Sequence, residues 1–289
     1  MEILELTLEN ESYPDLLKQI TDPPNRLFVW GNPETLQETS LAIVGSRKPS
    51  DYGIRVAAYL AHELCHYLPI ISGLAYGIDT VALTEAASAG RAIAVIGSGL
   101  DRENFYPACN WQLAQRIVEA GGAVISEYPV GTPPLKHHFP ARNRVIAGLA
   151  RGVIVIEAAE QSGALITADL ALQFNREVFA VAGSIFIPQA VGTNNLIKDG
   201  AQMVTKTEDV LNNLGIAPLS NQVSLTLDLL PEEQTIINIL STQSEGLSIN
   251  ELTNLIQLDT AKVSSTLTMM EIKGMVKQAG IGKFTCLIN

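Results

Sequence analysis

The segment from Phe139 to Arg144 reads F-P-A-R-N-R and concentrates groups that can bind a polyanion. Arg142 and Arg144 carry planar guanidinium groups whose N–H donors match phosphate oxygens, and Phe139 offers a flat ring on which a base can stack. Asn143 adds an amide, and Lys136 lies just upstream. These residue types together predict a local site for a nucleic-acid strand.

Glycine- and serine-rich loops follow four apolar runs of the sequence. Glycine lets the backbone approach a ligand closely, and the free N–H groups at a helix N-terminus favour an anion. Because parallel strands end at the same edge of a sheet, we expect these loops to line a groove that suits several successive phosphates. Arg47 would complete a phosphate site, although an ordinary turn with a solvated arginine is the alternative. The candidate DNA-binding residues in the loops are Gly45, Ser46, Arg47, Ser72, Gly73, Gly97, Gly99, Ser162 and Gly163.

Other chemistries are less well supported by the residue patterns. The sequence from His62 to His66 matches H-E-x-x-H, but helical periodicity directs both histidines away from the buried face, so we predict no zinc site. The dinucleotide fingerprint fails at Arg102, where its third glycine belongs, and there is no P-loop lysine. Asp79 is expected to cap a helix, and Glu127 and Glu157 could be paired acids or could hold an arginine or a loop amide. We therefore predict no catalytic residue, no metal and no cofactor.

Composition limits where a nucleic acid could bind. The chain has 289 residues, of which 47% are hydrophobic and 17% are charged, so it can bury a full core. A net charge of −11 argues against a generally positive surface, and any such contact must be local and sensitive to salt. Three well-separated cysteines and the lack of a secretory leader predict a cytoplasmic protein. No apolar run approaches the ~18 residues of a membrane span, so membrane insertion is not expected.

Short runs that are apolar on both faces alternate with segments of helical periodicity, which is typical of the α/β class. We predict a Rossmann-like, mostly parallel sheet with helices on both faces over residues 41–214, preceded by an irregular N-terminal arm over residues 1–40 that packs on this core. The predicted strands are 41–44, 69–72, 92–96, 123–126, 153–157, 177–182 and 202–204. The predicted helices are 50–67, 79–90, 109–120, 141–150, 162–175, 193–199 and 207–214.

The end of the chain is different in kind. After a linker at 215–223, residues 224–289 predict a small C-terminal winged-helix domain with helices at 231–241, 247–256 and 259–273 and a hairpin of strands 275–278 and 283–287 around a turn at 280–282. This segment has seven acidic residues against four lysines and lacks arginine. Its charge favours partner binding or a structural role over DNA reading.

Eight motifs, in order, closely resemble the DNA-processing protein A family, also called DprA or Smf, and the match covers roughly residues 13–210. The resemblance implies a non-enzymatic bacterial protein of the cytoplasm that binds single-stranded DNA, protects it after uptake and helps load the recombinase RecA in natural transformation. It also implies a homodimer formed through the Rossmann domain. The motifs start at Ala42, Ser72, Gly97, Tyr106, Ser126, Phe139, Ser162 and Gly192 and read A-I-V-G-S-R, S-G-L-A-Y-G-I-D, G-S-G-L-D, Y-P, S-E-Y-P, F-P-A-R-N-R, S-G-A-L-I-T and G-T-N-N-L-I.

The resemblance assigns roles position by position. It implies that Arg47 and the glycine loops bind phosphates, that Arg142 and Arg144 line the groove, and that Phe139 and Asn143 meet bases or shape the loop, with Lys136 as a further candidate. Two departures stand out. Tyr76 stands where the family commonly has arginine, which removes a cation and offers a stacking surface. The small helical domain that often precedes the Rossmann region is expected to be missing.

Two further questions stay open at this stage. The alternative function is a nucleotide-binding, phosphoribohydrolase-like enzyme on a related fold, but its P-G-G-x-G-T-x-x-E loop is replaced by Q-S-G-A-L-I-T from Gln161 to Thr167. A dimer contact is predicted within the segment from Gly192 to Ala201 because it contains the apolar pair Leu196 and Ile197. Simple core packing would explain that pair equally well.

Overall fold

The computed structural model describes residues 2–217, 231–241, 246–256, 258–272, 275–278 and 282–286. They form two compact units, Met1–Leu219 and Ser220–Asn289. Residues 218–223 of the expected linker and residues 280–281 of the expected turn lie outside the described part of the chain.

The larger unit is built on a nine-stranded sheet. Its strands are β1 Leu4–Thr7, β2 Arg26–Gly31, β3 Ser40–Val44, β4 Ile70–Ser72, β5 Ala92–Ile96, β6 Ala123–Ser126, β7 Ala150–Val155, β8 Glu177–Val181 and β9 Gln202–Val204. They lie in the order β1-β2-β6-β5-β4-β3-β7-β8-β9, and the seven strands from β6 to β9 along this order are mutually parallel. All seven were predicted, because runs that are apolar on both faces belong to buried parallel strands.

Helices cover both faces of this sheet, as predicted. Alternate residues of β3 belong to two separate cores: Leu41 and Ile43 face one core, and Ala42 and Val44 face the other. The helices are α1 Asp15–Lys18, α2 Asp51–Leu64, α3 Ile78–Ser88, α4 Trp111–Glu119, α5 His138–Leu149, α6 Gly163–Gln173, α7 Val191–Lys198 and α8 Thr207–Leu214. The first core is closed by α2, α3, α4 and α8, and the second by α1, α5 and α6.

The first 40 residues are more regular than expected. Instead of an irregular arm, they supply β1 and β2, and β2 pairs antiparallel with β6 at the edge of the parallel sheet. Tyr13 is fully buried, and its hydroxyl donates a hydrogen bond to the carbonyl of Pro24 at 2.7 Å. The prolines around these strands obscured them, because proline signals turns more strongly than two short, partly polar strands signal a sheet.

The smaller unit has the winged-helix pattern of three helices and a small sheet, as predicted. Helices α9 (Pro231–Ser241), α10 (Ile249–Ile256) and α11 (Thr260–Ile272) pack around a core that includes Ile236 and Leu267. The strands β10 (Leu247–Ser248), β11 (Val276–Gln278) and β12 (Lys283–Cys286) form an antiparallel sheet in the order β10-β12-β11. The two-residue β10 is an addition to the predicted hairpin. Across the described part of both units, each helix is too short or too polar to span a membrane.

Candidate nucleic-acid interface

A cleft of about 730 Å³ opens where β3 and β7 end and where the N-terminal turns of α5 and α6 come together. This is the edge at which ligands bind in sheets of this type. It brings together nine of the fourteen residues that the sequence predicted as a DNA site. They are Gly45, Ser46, Arg47, Lys136, Phe139, Arg142, Asn143, Ser162 and Gly163.

Cationic and N–H groups face this cleft. Arg47 and Lys136 are both exposed. Ser162 caps α6, accepting a hydrogen bond from the Ala164 N–H at 3.3 Å, so the positive end of that helix points toward the cleft. A Cβ added to Gly163 would meet nothing within 4 Å, which leaves the backbone there open to a ligand. The lining can therefore hold anionic groups at two places, which are the side chains of Arg47 and Lys136, in the loops after β3 and before α5, and the N-terminus of α6.

An aromatic ring lies beside the cations. The guanidinium carbon of Arg47 sits 5.8 Å from the centroid of the Phe139 ring, within the range of a cation–π contact. The ring of Tyr106 also lies beside Phe139, with 5.3 Å between ring centroids. A nucleotide in the cleft could therefore place its phosphate near Arg47 and its base near a ring.

Arg142 differs from the expectation of an exposed phosphate contact. It is only 4% exposed, and its Nη1 donates to the backbone carbonyls of Gly73 and Val95. Burial lowers the pKa of Arg142 to about 10, while the nearby Asp79 carboxylate opposes that shift, so the group is charged at neutral pH. Arg142 therefore ties the ends of β4 and β5 together and forms the floor of the cleft.

Asp79 also departs from its expected role as a helix cap. The N-cap of α3 is Gly77, and the Asp79 carboxylate turns back to accept hydrogen bonds from the N–H groups of Gly73, at 3.1 Å, and Ala75, at 3.4 Å. Burial raises the pKa of Asp79, and the charge of Arg142 opposes this effect. The carboxylate holds the loop after β4 in place.

Arg144 does not line the cleft. Its Nη2 lies 2.5 Å from Glu127 Oε2 and its Nε lies 3.6 Å from Asp22, with 18% of the side chain exposed. These carboxylates already balance its charge. Arg144 therefore does not line the groove, in contrast to the prediction from the sequence. Glu127 thus holds an arginine, and Glu157 accepts hydrogen bonds from the backbone N–H and the hydroxyl of Ser50. Of the two roles that the sequence left open for these acids, the structure shows contacts to an arginine and to a loop amide.

Four predicted loop residues contribute to packing and do not line the cleft. Ser72 donates to the carbonyl of Ile43 at 2.6 Å, and Gly73 packs against the guanidinium of Arg142. The carbonyl of Gly97 lies 3.2 Å from Nδ1 of His138, and the N–H of Gly99 donates to Thr132 at 2.9 Å. All four are buried, so the groove is narrower than the four loops suggested.

Sequence comparison places the chain among known proteins. The sequence model of DNA recombination-mediator protein A matches residues 5–215, and that of the DprA winged helix domain matches residues 224–280. The chain belongs to the DNA recombination-mediator protein A family. Both units of the DprA-family chain are thus covered by a match.

Individual relatives agree with this assignment. Protein Smf of Escherichia coli K12 is 46% identical over 208 residues, which cover 71% of this chain and 55% of that protein, so the chain spans about half of its length. The X-ray structure of DprA from Streptococcus pneumoniae has a TM-score of 0.69 at 44% identity, covering 73% of this chain and 74% of that chain. DprA from Helicobacter pylori, whose structure concerns its single-stranded DNA binding mode, has a TM-score of 0.65 at 32% identity, covering 73% of this chain and 95% of that chain.

Several lining residues of this DprA-family cleft escaped the sequence prediction. They come from the loops before α4 and α6 and from α6 itself, and they include Tyr106, Gln161, Ile166 and Thr167. A signal for Tyr106 was available, because its motif stands among the eight that define the resemblance. Gln161 and Thr167 flank the predicted Ser162 and Gly163 and could have been found from the same loop.

The H-E-x-x-H segment lies on α2, outside the cleft. His62 and His66 are exposed, and their rings meet edge to face with 5.4 Å between centroids. Nδ1 of His62 is 3.7 Å from a carboxylate oxygen of Glu85. Within the described residues of this DprA-family chain, no cluster of three His, Cys, Asp or Glu side chains could hold a metal ion.

Proposed function

We propose that this chain binds single-stranded DNA in the cleft at the ends of β3 and β7. Arg47 and Lys136 contact phosphates, the N-terminus of α6 at Ser162 accepts a further phosphate, and Phe139 stacks on a base. The observation that carries the proposal is the convergence of two exposed cations, an open helix N-terminus and an aromatic ring in one cleft of a chain whose net charge is −11. The DNA-binding Helicobacter pylori relative supports it.

The aromatic lining of the cleft and the acidic charge of the chain favour a single strand over a duplex. A base can stack on Phe139 only if its face is free, and in a duplex the faces are covered by neighbouring base pairs. The acidic remainder of the surface also repels the wide, highly charged backbone pair of a duplex. A flexible strand can follow the local cationic site without approaching the acidic surface.

The proposed cellular role follows from the family. The chain protects incoming single-stranded DNA and loads RecA on it as a non-catalytic mediator in the bacterial cytoplasm, and it acts as a homodimer through the larger, Rossmann-like unit. The description of the family as a recombination mediator supports this role. Within the candidate dimer segment, Leu196 packs partly against the core, which leaves the half-buried Ile197 as the proposed contact.

A binding experiment tests the proposal. A fluorescent single-stranded oligonucleotide is titrated with the wild-type protein, in competition with unlabelled single-stranded or duplex DNA. We expect the single strand to compete better, and we expect Arg47→Ala to weaken binding by ~1–3 kcal/mol, as for a charge-assisted hydrogen bond. Arg55→Ala is the matched control, because Arg55 is an exposed arginine on α2 that does not line the cleft. Equal loss in both variants, or none in either, would contradict the assignment of the cleft.

A further inference from the structure

Two exposed tyrosines continue the row of rings beyond Phe139. The ring of Tyr106 lies 5.3 Å from that of Phe139, and the ring of Tyr76 lies 6.5 Å from that of Tyr106 in an edge-to-face pair. Tyr106 is 39% exposed and Tyr76 is 46% exposed. Exposed aromatic rings next to a cationic groove are a common feature of proteins that bind single strands, because each base has a face that can stack.

The row of rings is continuous with the cleft. Arg47, Tyr106 and Phe139 line both the cleft and a smaller adjoining recess, and Tyr76 belongs to the wall of that recess. The recess has a volume of about 10 Å³, which is room for roughly one water molecule. A base therefore cannot enter the recess and can only lie on the exposed rings around it.

The loop that carries Tyr76 is held in place by hydrogen bonds on its N-terminal side. The N–H of Ala75 donates to the Asp79 carboxylate at 3.4 Å, and the side-chain amide of Asn110 donates to the carbonyl of Leu74 at 2.8 Å. The ring of Tyr76 is thus presented from an ordered backbone. A ligand that stacks on it would not have to order this loop first, which lowers the entropic cost of binding.

The tyrosine end of this surface carries little free charge. Among the described residues that line the small recess, Arg47 and Arg142 alone are charged, and Arg142 is buried and bonded to backbone carbonyls. Tyr76 and Tyr106 therefore cannot neutralise phosphates. Their rings can stack on bases, and a contribution from their hydroxyls is distinguished by Tyr→Phe substitution.

We propose that Tyr76 and Tyr106 form a stacking platform for the bases of a single strand that leaves the cleft past Phe139. The proposal rests on the proposed function and extends the path of the strand by the nucleotides that reach these two rings. It assigns to this part of the path a binding energy that depends on bases and is nearly independent of salt. The cleft, in contrast, supplies the salt-dependent part.

Affinity measured against oligonucleotide length and salt tests the platform. For strands long enough to pass Phe139, Tyr76→Ala should weaken binding by about 5-fold to about 150-fold, since stacking contributes ~1–3 kcal/mol per base, with no change in the salt slope. Tyr76→Phe should retain the affinity because it retains the ring. Tyr59→Ala is the matched control, since Tyr59 is 50% exposed on α2 outside both recesses.

Abasic nucleotides separate stacking from a general structural effect. Placed one at a time along the strand, an abasic unit should weaken wild-type binding at the register that meets Tyr76 and should have no effect there on Tyr76→Ala. If the abasic unit and Tyr76→Ala each weaken binding and the two losses of binding free energy add when they are combined, the ring and that base do not interact. That result would overturn the platform.

Protection of Cys109 gives a second readout in the wild-type protein. Cys109 is an exposed free cysteine, and its interaction with Tyr76 raises the pKa of the tyrosine hydroxyl. A long oligonucleotide at saturation should slow alkylation of Cys109, followed by peptide mass spectrometry, and a short one that fills only the cleft should not. Equal alkylation rates with and without the long strand would contradict the proposed path.

The two proposals fail in different ways. If Arg47→Ala weakens binding while Tyr76→Ala binds every length like the wild type, the platform is refuted and the cleft is retained. If Arg47→Ala and Lys136→Ala both bind like the wild type, the cleft itself is not the DNA site.

Discussion

The buried side chains of Asp79 and Arg142 both form hydrogen bonds to the backbone of Gly73, one to its N–H group and the other to its carbonyl. The Asp79 carboxylate accepts a hydrogen bond from the Gly73 N–H at 3.1 Å, and Nη1 of Arg142 donates to the Gly73 carbonyl at 2.5 Å. Both side chains are buried and carry opposite charges near each other. This arrangement fixes the end of β4, and with it the loop that forms one wall of the cleft.

Removal of Arg142 should therefore destabilise the fold. Arg142→Ala leaves Asp79 buried without its opposite charge and leaves two backbone carbonyls without a donor, which should cost ~3–5 kcal/mol of unfolding free energy. Denaturant unfolding measures this loss. Arg151→Ala, at an exposed arginine of β7, should change stability by less than ~0.5 kcal/mol. A stable Arg142→Ala protein that no longer binds DNA would show instead that Arg142 contacts phosphate directly.

Two glycine substitutions compare the stability cost of an added methyl group at a packed position and at an open one. At Gly73 an added Cβ would lie 2.6 Å from Nη1 of the buried Arg142, so Gly73→Ala should cost ~1–3 kcal/mol of unfolding free energy through overpacking. At Gly163 an added Cβ would meet nothing within 4 Å, so Gly163→Ala should retain full stability. Thermal unfolding of both variants checks the contrast, and equal stability losses would be inconsistent with it.

Arg144 should contribute to stability and not to the salt dependence of DNA binding. Its ion pair with Glu127 is largely shielded from solvent, with 18% and 13% of the two side chains exposed. Arg144→Ala leaves a mostly buried carboxylate without its partner and should cost ~1–3 kcal/mol of unfolding free energy. The slope of log affinity against log salt should stay at the wild-type value. A slope reduced by ~0.7, the value for one phosphate contact on a single strand, would restore Arg144 to the DNA site.

The enzymatic alternative has a direct test. Incubation of the protein with nucleoside monophosphates should release no free base, because the cleft carries Gln161–Thr167 where a phosphoribohydrolase-like enzyme would have its P-G-G-x-G-T-x-x-E loop. Chromatography of the reaction mixture measures the base. Release that is proportional to protein concentration would favour the enzyme.

Most of the fold could be predicted from the sequence because its signals are local. Runs such as Ala92–Ile96 are apolar at every position, which only a strand buried on both faces requires. The strands β1 and β2 lacked that signal, since they lie at the sheet edge and keep exposed positions at Leu4 and Arg26. Their existence depends on the pairing of β2 with β6 and of β1 with β2, contacts that no local pattern reports.

The candidate site was predicted in composition but not in orientation. The segment from Phe139 to Arg144 was expected to act together, yet it lies in α5, where the residues at His138, Arg142 and Val145 face the interior. Helical periodicity from His138 would have placed Arg142 on that buried face, but the helix start was predicted three residues too late. The partners of Arg144 come from the loop after β6 and from the N-terminal segment, so no spacing rule could reveal them.

The salt dependence of binding tests the central claim most directly. The affinity of a single-stranded oligonucleotide is measured across a salt series for the wild type, for Arg47→Ala/Lys136→Ala and for the control Arg55→Ala. If the cleft holds the strand, the double substitution lowers the slope of log affinity against log salt by ~1.4, about 0.7 for each lost phosphate contact, and Arg55→Ala leaves it unchanged. A double variant with the wild-type slope and affinity would contradict the account.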